Sequence, residues 1–147
     1  YDNFNLNSSH VIPAMIRKLY EAKNKNLKEI EFWGTGKSKR DFVYAGDIAR
    51  GVLFFLNKKK FYDPINISSG KSISIKELAN IIKKISCFKG KINWDRNKPE
   101  GQKVKIFSTK KMNELGFKTQ VGLDNGLKKT YTWFSNEYRK KNNNLRL

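Results

Sequence analysis

Apolar residues near the start of the chain recur at the spacing of helical turns. Between Val11 and Ala22 they return every three or four residues, and this period predicts an amphipathic helix. Ser8 or Ser9 can cap its first turn. Pro13 is tolerated in that turn because the first amides of a helix have no partner within the helix.

Short extended segments alternate with helices along the rest of the chain. Strands are predicted where polar and apolar residues alternate or where a short apolar run stops at a turn residue, at 29–33, 64–68 and 91–94, and 42–44 is predicted to be a short extended segment. Helices are predicted from residue 46 to the lysine run 58–60, and at 75–85, 108–115 and 123–139. Ser74 and Glu77 have the spacing of a capping box. This alternation indicates the α/β class.

The pattern requires only one domain. No internal repeat or composition break divides residues 1–139, and the end of the chain, 140–147, is expected to be a disordered tail. The composition, 38% apolar and 13% aromatic, suits a domain with a core of its own.

The chain is strongly basic, with 31 lysines and arginines against 13 acidic residues and a formal net charge of +18. Such a charge favours an anionic partner. The basic residues are spread along the chain rather than gathered in one stripe, so a solvated lysine-rich surface is the other interpretation.

Several absences exclude classes of protein. One cysteine, Cys87, cannot form an internal disulfide, and with a single histidine it predicts no metal site. No apolar run approaches the roughly 18 residues of a membrane span, and no signal-peptide pattern is visible, so a cytoplasmic location is expected. The turn 34–36 lacks the third glycine of a dinucleotide-binding loop, and no P-loop is present. The first residue, Tyr1, indicates a fragment or a processed piece.

Three side chains carry candidate chemistry. His10 stands at the mouth of the first helix, and an imidazole that titrates near neutral pH can donate a proton to a carbanion. Trp33 ends a strand and offers a flat surface that suits a purine. Arg40 follows the glycine turn, and its planar fork can bind a diphosphate. The structural alternatives are a capping or surface histidine, a core tryptophan and a solvated arginine.

These blocks resemble, in order and spacing, the C-terminal half of the GDP-L-fucose synthase family. The resemblance runs over nearly the whole chain, and the block 10–18 is its most specific part. It implies an α/β fold: the C-terminal substrate-binding portion of an extended short-chain dehydrogenase/reductase, in the NAD-dependent epimerase/dehydratase family, without the N-terminal Rossmann cofactor half. The implied reaction converts GDP-4-keto-6-deoxymannose to GDP-L-fucose by epimerisation at C3 and C5 and NADP-dependent reduction at C4.

The resemblance also implies roles for single residues. His10 would lie beside the nicotinamide and the sugar, as an acid in the epimerisation and a contact of NADP. The positions that match substrate-binding residues are Val11, Met15, Lys18, Trp33, Arg40, Glu100 and Lys105. Trp33 would face the guanine and Arg40 the diphosphate. The segment 101–105 departs from the family's Thr-Pro-Arg-Lys pattern, so the register of contacts there stays open.

The family's glycine loop and its serine, tyrosine and lysine set have no counterpart in this chain. We therefore expect NADP to be held mainly by another half, the isolated chain to be inactive, and the intact enzyme to be a homodimer acting on a nucleotide-sugar. Two alternatives stay open: a related GDP-, UDP- or dTDP-sugar epimerase or reductase, and a basic nucleic-acid-binding domain. The second lacks any recognisable RNP, KH or helix-turn-helix pattern.

Overall fold

Helices and short strands alternate through the residues that the computed structural model describes, which are 2–58, 63–140 and 145–147. In chain order the elements are α1 (Val11–Asn24), β1 (Glu29–Trp33), β2 (Lys39–Asp41), α2 (Ala45–Asn57), β3 (Ser72–Ser74), α3 (Ile75–Ser86), β4 (Lys91–Asp95), β5 (Val104–Lys105), α4 (Lys110–Glu114) and α5 (Leu123–Arg139). The predicted α/β class is confirmed. The predicted helices are confirmed to within about two residues, except that the lysines at 59 and 60 lie outside the described residues.

The two sheets are small. In the first, β1 and β4 run parallel, with Trp33 opposite Asp95. In the second, β2 lies between an antiparallel β3 and a parallel β5, so that Arg40 has Ile73 on one side and Lys105 on the other. Both sheets therefore bring their strand ends toward the same glycine turn, 34–36, which connects β1 to β2.

One predicted strand is wrong, because 64–68 forms no strand. The segment 42–44 follows β2, which ends at Asp41, and its last residue, Tyr44, has the extended backbone that was expected. A strand needs a neighbour that satisfies its backbone groups. Instead, the carboxylate of Asp41 accepts hydrogen bonds from the amides of Ser69 and Gly70, at 3.1 and 3.0 Å, and from the hydroxyl of Ser69 at 2.6 Å. These bonds fix the turn after 64–68, and the unpredicted strand β3 follows it.

The two predicted helix caps have different outcomes. At α3 the capping box is confirmed, because the Ser74 hydroxyl accepts from the Glu77 amide at 3.1 Å and the Glu77 carboxylate accepts from the Ser74 amide at 2.9 Å. At α1 the predicted serine cap is wrong. His10 is the N-cap residue, without a side-chain capping bond, because a turn at 6–8 brings the chain into the helix one residue later than expected.

The core lies where α1, α3 and α5 pack together against β1. Phe4 is fully buried and stacks on Phe134 of α5, with ring centroids 4.4 Å apart. Tyr20 of α1 contacts the same Phe134 ring edge-on at 5.5 Å. This aromatic cluster fixes the orientation of α1, and with it the position of the α1 N-terminus.

The end of the chain differs from the expected disordered tail 140–147. Leu145 is buried in the core, and the carbonyl of Arg146 accepts a hydrogen bond from the Phe4 amide at 2.8 Å. The physical reason is that the N-terminal segment presents an unpaired backbone edge, which Arg146 joins through a bridge to Asn3. Residues 141–144 lie outside the described residues.

Candidate functional site

A cavity of about 300 Å³ opens between the N-terminal half of α1, the end of β1, β2 and the segment at 99–100. This volume is at the lower end of the range of small-molecule sites, about 300–1,000 Å³. Six of the eight residues predicted for the site line it: Val11, Met15, Lys18, Trp33, Arg40 and Glu100. Their spatial grouping is a finding, whereas the role of each stays a prediction.

The helix wall of the cavity comes from one face of α1. Val11, Met15 and Lys18 are spaced four and three residues apart, which places them on the same side of a helix. The Lys18 ammonium donates a hydrogen bond to the carbonyl of Glu31 at 3.2 Å and lies 5.8 Å from the centre of the Phe32 ring. Lys18 therefore ties the helix to β1 and adds a positive charge to the cavity.

Trp33 is a surface residue and not part of the core. Its side chain is 58% exposed, whereas the preceding Phe32 is 4% exposed, as expected for consecutive residues of a strand with one buried face. The Lys98 ammonium lies 5.7 Å from the centre of the indole. An exposed indole beside a cavity gives a planar surface on which an aromatic ligand group can stack.

Arg40 presents a guanidinium with no acidic partner. Its Nη1 donates to the carbonyl of Lys39 at 2.8 Å, and none of the ion pairs among residues 2–58, 63–140 and 145–147 includes it. Its Nη2 lies close to Gly101, where an added Cβ would be 3.4 Å away. Arg40 therefore has no ion-pair partner at the cavity, where the Glu100 carboxylate is bonded to Thr35 instead, and an unpaired guanidinium favours an anionic ligand.

The Glu100 carboxylate stabilises the glycine turn 34–36 through hydrogen bonds. Its Oε1 accepts from the Thr35 amide at 2.7 Å and also from the Thr35 hydroxyl. These two bonds, of which the one from the hydroxyl has the larger effect, hold the pKa of Glu100 below its usual range. A Cβ at Gly34 would lie 2.4 Å from the Glu100 side chain, and Gly34 has a φ of +78°, so glycine is required there.

The two remaining predicted residues do not line the cavity. His10 is the exposed N-cap residue of α1, with extended backbone, and it is not among the residues that line the cavity. Lys105 pairs with Arg40 in the sheet register, but its ammonium lies 5.7 Å from the centre of the Phe107 ring. Sequence reasoning missed Ser9, Ser38 and Pro99, which also line the cavity, and nothing in the sequence distinguishes Ser9 from Ser8 in this respect.

A second opening, of about 550 Å³, lies between the start of α2 and the start of α5. Its walls are largely apolar and include Ile12, Phe42, Tyr44 and Trp133. In the described part of the chain, no group of three or more histidine, cysteine or acidic side chains could hold a metal ion. No helix of that part is both long and apolar enough to span a membrane.

The sequence matches known proteins along most of its length. Residues 1–68 match the model of the NAD dependent epimerase/dehydratase family. A GDP-L-fucose synthase of Sinorhizobium fredii is 43% identical over 133 residues, which are 90% of this chain and 42% of that protein. A GDP-L-colitose synthase of Yersinia pseudotuberculosis is 37% identical over 138 residues, or 93% of this chain and 45% of that protein.

The fold matches as well. The structure of a GDP-L-fucose synthetase from Naegleria fowleri bound to NADP superposes with a TM-score of 0.86 at 29% identity, over 99% of this chain and 45% of that one. The resemblance inferred from the sequence is confirmed. The chain spans less than half the length of these relatives.

Proposed function

We propose that this chain, which is related in sequence and fold to the NAD dependent epimerase/dehydratase family, is the nucleotide-sugar-binding part of a GDP-L-fucose synthase. The intact enzyme would epimerise GDP-4-keto-6-deoxymannose at C3 and C5 and reduce C4 with NADPH. The observation that carries the proposal is the pairing of an exposed indole, Trp33, with an unpaired guanidinium, Arg40, at one cavity.

The two groups suit the two ends of a nucleoside diphosphate. The indole of Trp33 stacks on the guanine, and the Arg40 fork makes charge-assisted bonds with the diphosphate. Lys18 adds a second positive charge from the helix wall, where its bond to the Glu31 carbonyl fixes it. Because these charged side chains are already held in place before the ligand binds, the entropic cost of ordering them on binding is small.

His10 is proposed as the acid of the epimerisation. His10 is exposed at the α1 N-terminus, outside the nucleotide cavity. This position suits a residue that contacts the hexose where this chain borders the cofactor-binding half of the intact enzyme. An imidazole there can deliver a proton to the enolate formed at C3 or C5. The contact of His10 with NADP, predicted from the family resemblance, belongs to the same proposal.

The residues described here do not form a dinucleotide site. The glycine turn 34–36 leads from β1 into β2 and not into a helix, so it offers no helix N-terminus to a dinucleotide pyrophosphate. NADP, which supplies the hydride for reduction of C4, is therefore proposed to bind mainly to another part of the intact enzyme.

Exposed apolar surface on α2 supports the presence of a separate cofactor-binding half in the intact enzyme. Val52, Leu53 and Leu56 are 48, 60 and 68% exposed, and their spacing places them on one helix face. Contiguous exposed apolar surface of this kind marks an interaction site. We propose that the cofactor-binding half packs on this face and on the second opening, in a homodimeric cytoplasmic enzyme.

A second candidate function differs from the first only in the sugar that is attached to the nucleotide. The relationship to a GDP-L-colitose synthase favours a GDP-sugar and leaves fucose and colitose as possible products. Calorimetric titration of the 147-residue chain with GDP, UDP and dTDP tests the proposal at the level of the base. Clear preference for GDP is expected, whereas equal affinity for all three would contradict it.

A further inference from the structure

The exposed side chain of Lys98 lies beside the Trp33 indole without a carboxylate partner. Its ammonium is 5.7 Å from the centre of the indole, and none of the ion pairs in the described part of the chain includes it. The two residues that follow, Pro99 and Glu100, line the cavity. The Lys98 charge therefore lies at the edge of the proposed base site, where a ligand can reach it.

The backbone holds Lys98 close to Trp33. In the first sheet Trp33 lies opposite Asp95, the last residue of β4. The Asp95 carbonyl accepts a hydrogen bond from the Gly34 amide at 2.8 Å and another from the Lys98 amide at 3.3 Å. One carbonyl therefore joins the residue that follows the indole to the residue that carries the ammonium. The start of the Lys98 side chain is fixed relative to the ring, while its exposed end can adjust to a ligand.

The edge of a stacked purine distinguishes guanine from adenine. Guanine presents two acceptors side by side, O6 and N7, whereas adenine presents N7 beside the donor amino group at N6. An ammonium has donors only, so it matches the guanine edge and opposes the adenine amino group donor to donor. The indole of Trp33 cannot make this distinction, because every base has a face that stacks. The proposed site therefore needs a further group to select guanine.

We propose that Lys98 is a specificity-determining residue, whose ammonium donates hydrogen bonds to O6 and N7 of the guanine that stacks on Trp33. This inference rests on the proposed function and adds to it the group that selects guanine over adenine. Arg40 and Lys18 attract the diphosphate of any nucleotide, so their charges do not discriminate between the two purines. The discrimination is therefore assigned to the charge that lies beside the indole.

Calorimetric titrations with GDP, IDP and ADP test this assignment, because the base of IDP keeps O6 and N7 but lacks the exocyclic amino group of guanine. Lys98→Met keeps the apolar stem and removes the ammonium. We expect it to bind GDP and IDP roughly fivefold more weakly, the loss of one hydrogen bond, and ADP with wild-type affinity. Lys98→Arg, which keeps donors for O6 and N7, should retain the affinity for GDP. The matched control is Lys91→Met, since Lys91 is an exposed lysine at the opposite end of β4.

The outcomes separate this inference from the proposed function. Wild-type affinity of Lys98→Met for GDP would overturn the assignment and leave the proposed function standing. An equal loss of affinity for GDP, IDP and ADP would also overturn it, because the ammonium would then act on the diphosphate that all three share. Failure of the wild-type chain to bind GDP would contradict the proposed function and this inference together. Thermal melts check that each variant is folded.

Discussion

Replacement of Asp47 by asparagine should destabilise the fold through one buried carboxylate. Asp47 is fully buried, in the first turn of α2. Its Oδ2 accepts from the amides of Gln120 and Val121, both at 2.9 Å, and its Oδ1 accepts from the Arg50 guanidinium at 2.7 Å. The asparagine side chain has one acceptor where the carboxylate has two, and its NH₂ group must face a donor.

The magnitude follows from these contacts. Arg50 is 39% exposed, so the ion pair itself contributes little. The two amide bonds to a charged, buried acceptor are the larger contribution, and we expect a loss of about 2–3 kcal/mol in the free energy of unfolding. For a domain of this size that loss corresponds to a fall in melting temperature of roughly 10 °C.

The pH dependence gives a second readout. Burial by itself raises the pKa of Asp47, but the bonds from Val121, Arg50 and Gln120 outweigh it and leave the pKa below its ordinary value of 3.8. A lowered pKa contributes stability that is present above that ordinary value and is lost as the pH falls through the folded-state value. The wild-type chain should therefore lose this contribution in acid, and Asp47→Asn should not.

Thermal melts and urea titrations of Asp47→Asn measure the loss, with Asp124→Asn as the control. Asp124 occupies the first turn of α5 with an exposed carboxylate, so its replacement should change the melting temperature little. Equal melting temperatures for the two variants would refute the reasoning.

The sequence predicts the parts of the fold that depend on contacts between neighbouring residues better than those that depend on contacts between distant residues. The α3 capping box is formed by residues three apart, so local chemistry determines it. The sequence left open whether Trp33 is a core residue, and the structure shows it exposed on the same strand face as Glu29 and Glu31. By contrast, the segment 64–68 has strand composition but forms no strand, and the Asp41 carboxylate that fixes the turn after it comes from a distant part of the chain. The local pattern of the segment does not show this contact.

Three further predictions concern the intact enzyme and the isolated chain. In the intact enzyme, His10→Asn should slow epimerisation by roughly 10²–10⁴-fold because asparagine cannot deliver the proton, while the affinity for GDP stays nearly unchanged. Wild-type rates of deuterium incorporation at C3 and C5 would remove His10 from the mechanism. The 147-residue chain alone should not oxidise NADPH in the presence of GDP-4-keto-6-deoxymannose, and steady oxidation would contradict the absence of a dinucleotide site. The wild-type chain should bind an apolar dye through α2, and Leu53→Lys with Leu56→Lys should reduce that fluorescence; a dye-silent wild-type chain would argue against the proposed packing face.

The central claim is that Arg40 and Trp33 bind a guanosine diphosphate. Arg40→Lys keeps the charge but removes the fork, so GDP affinity should fall roughly tenfold. Arg96→Lys is the matched control, since Arg96 is an exposed arginine that does not line the cavity. Trp33→Ala should weaken GDP binding by a comparable factor and reduce the preference for GDP over UDP, while the melting temperature changes little because the indole is 58% exposed.

Calorimetric titration of GDP into the wild-type chain and Arg40→Lys is the most direct measurement. We predict clear binding by the wild type and by Arg96→Lys, with roughly tenfold weaker binding by Arg40→Lys at an unchanged melting temperature. Equal affinity of Arg40→Lys and the wild type would contradict the assignment of the diphosphate to Arg40.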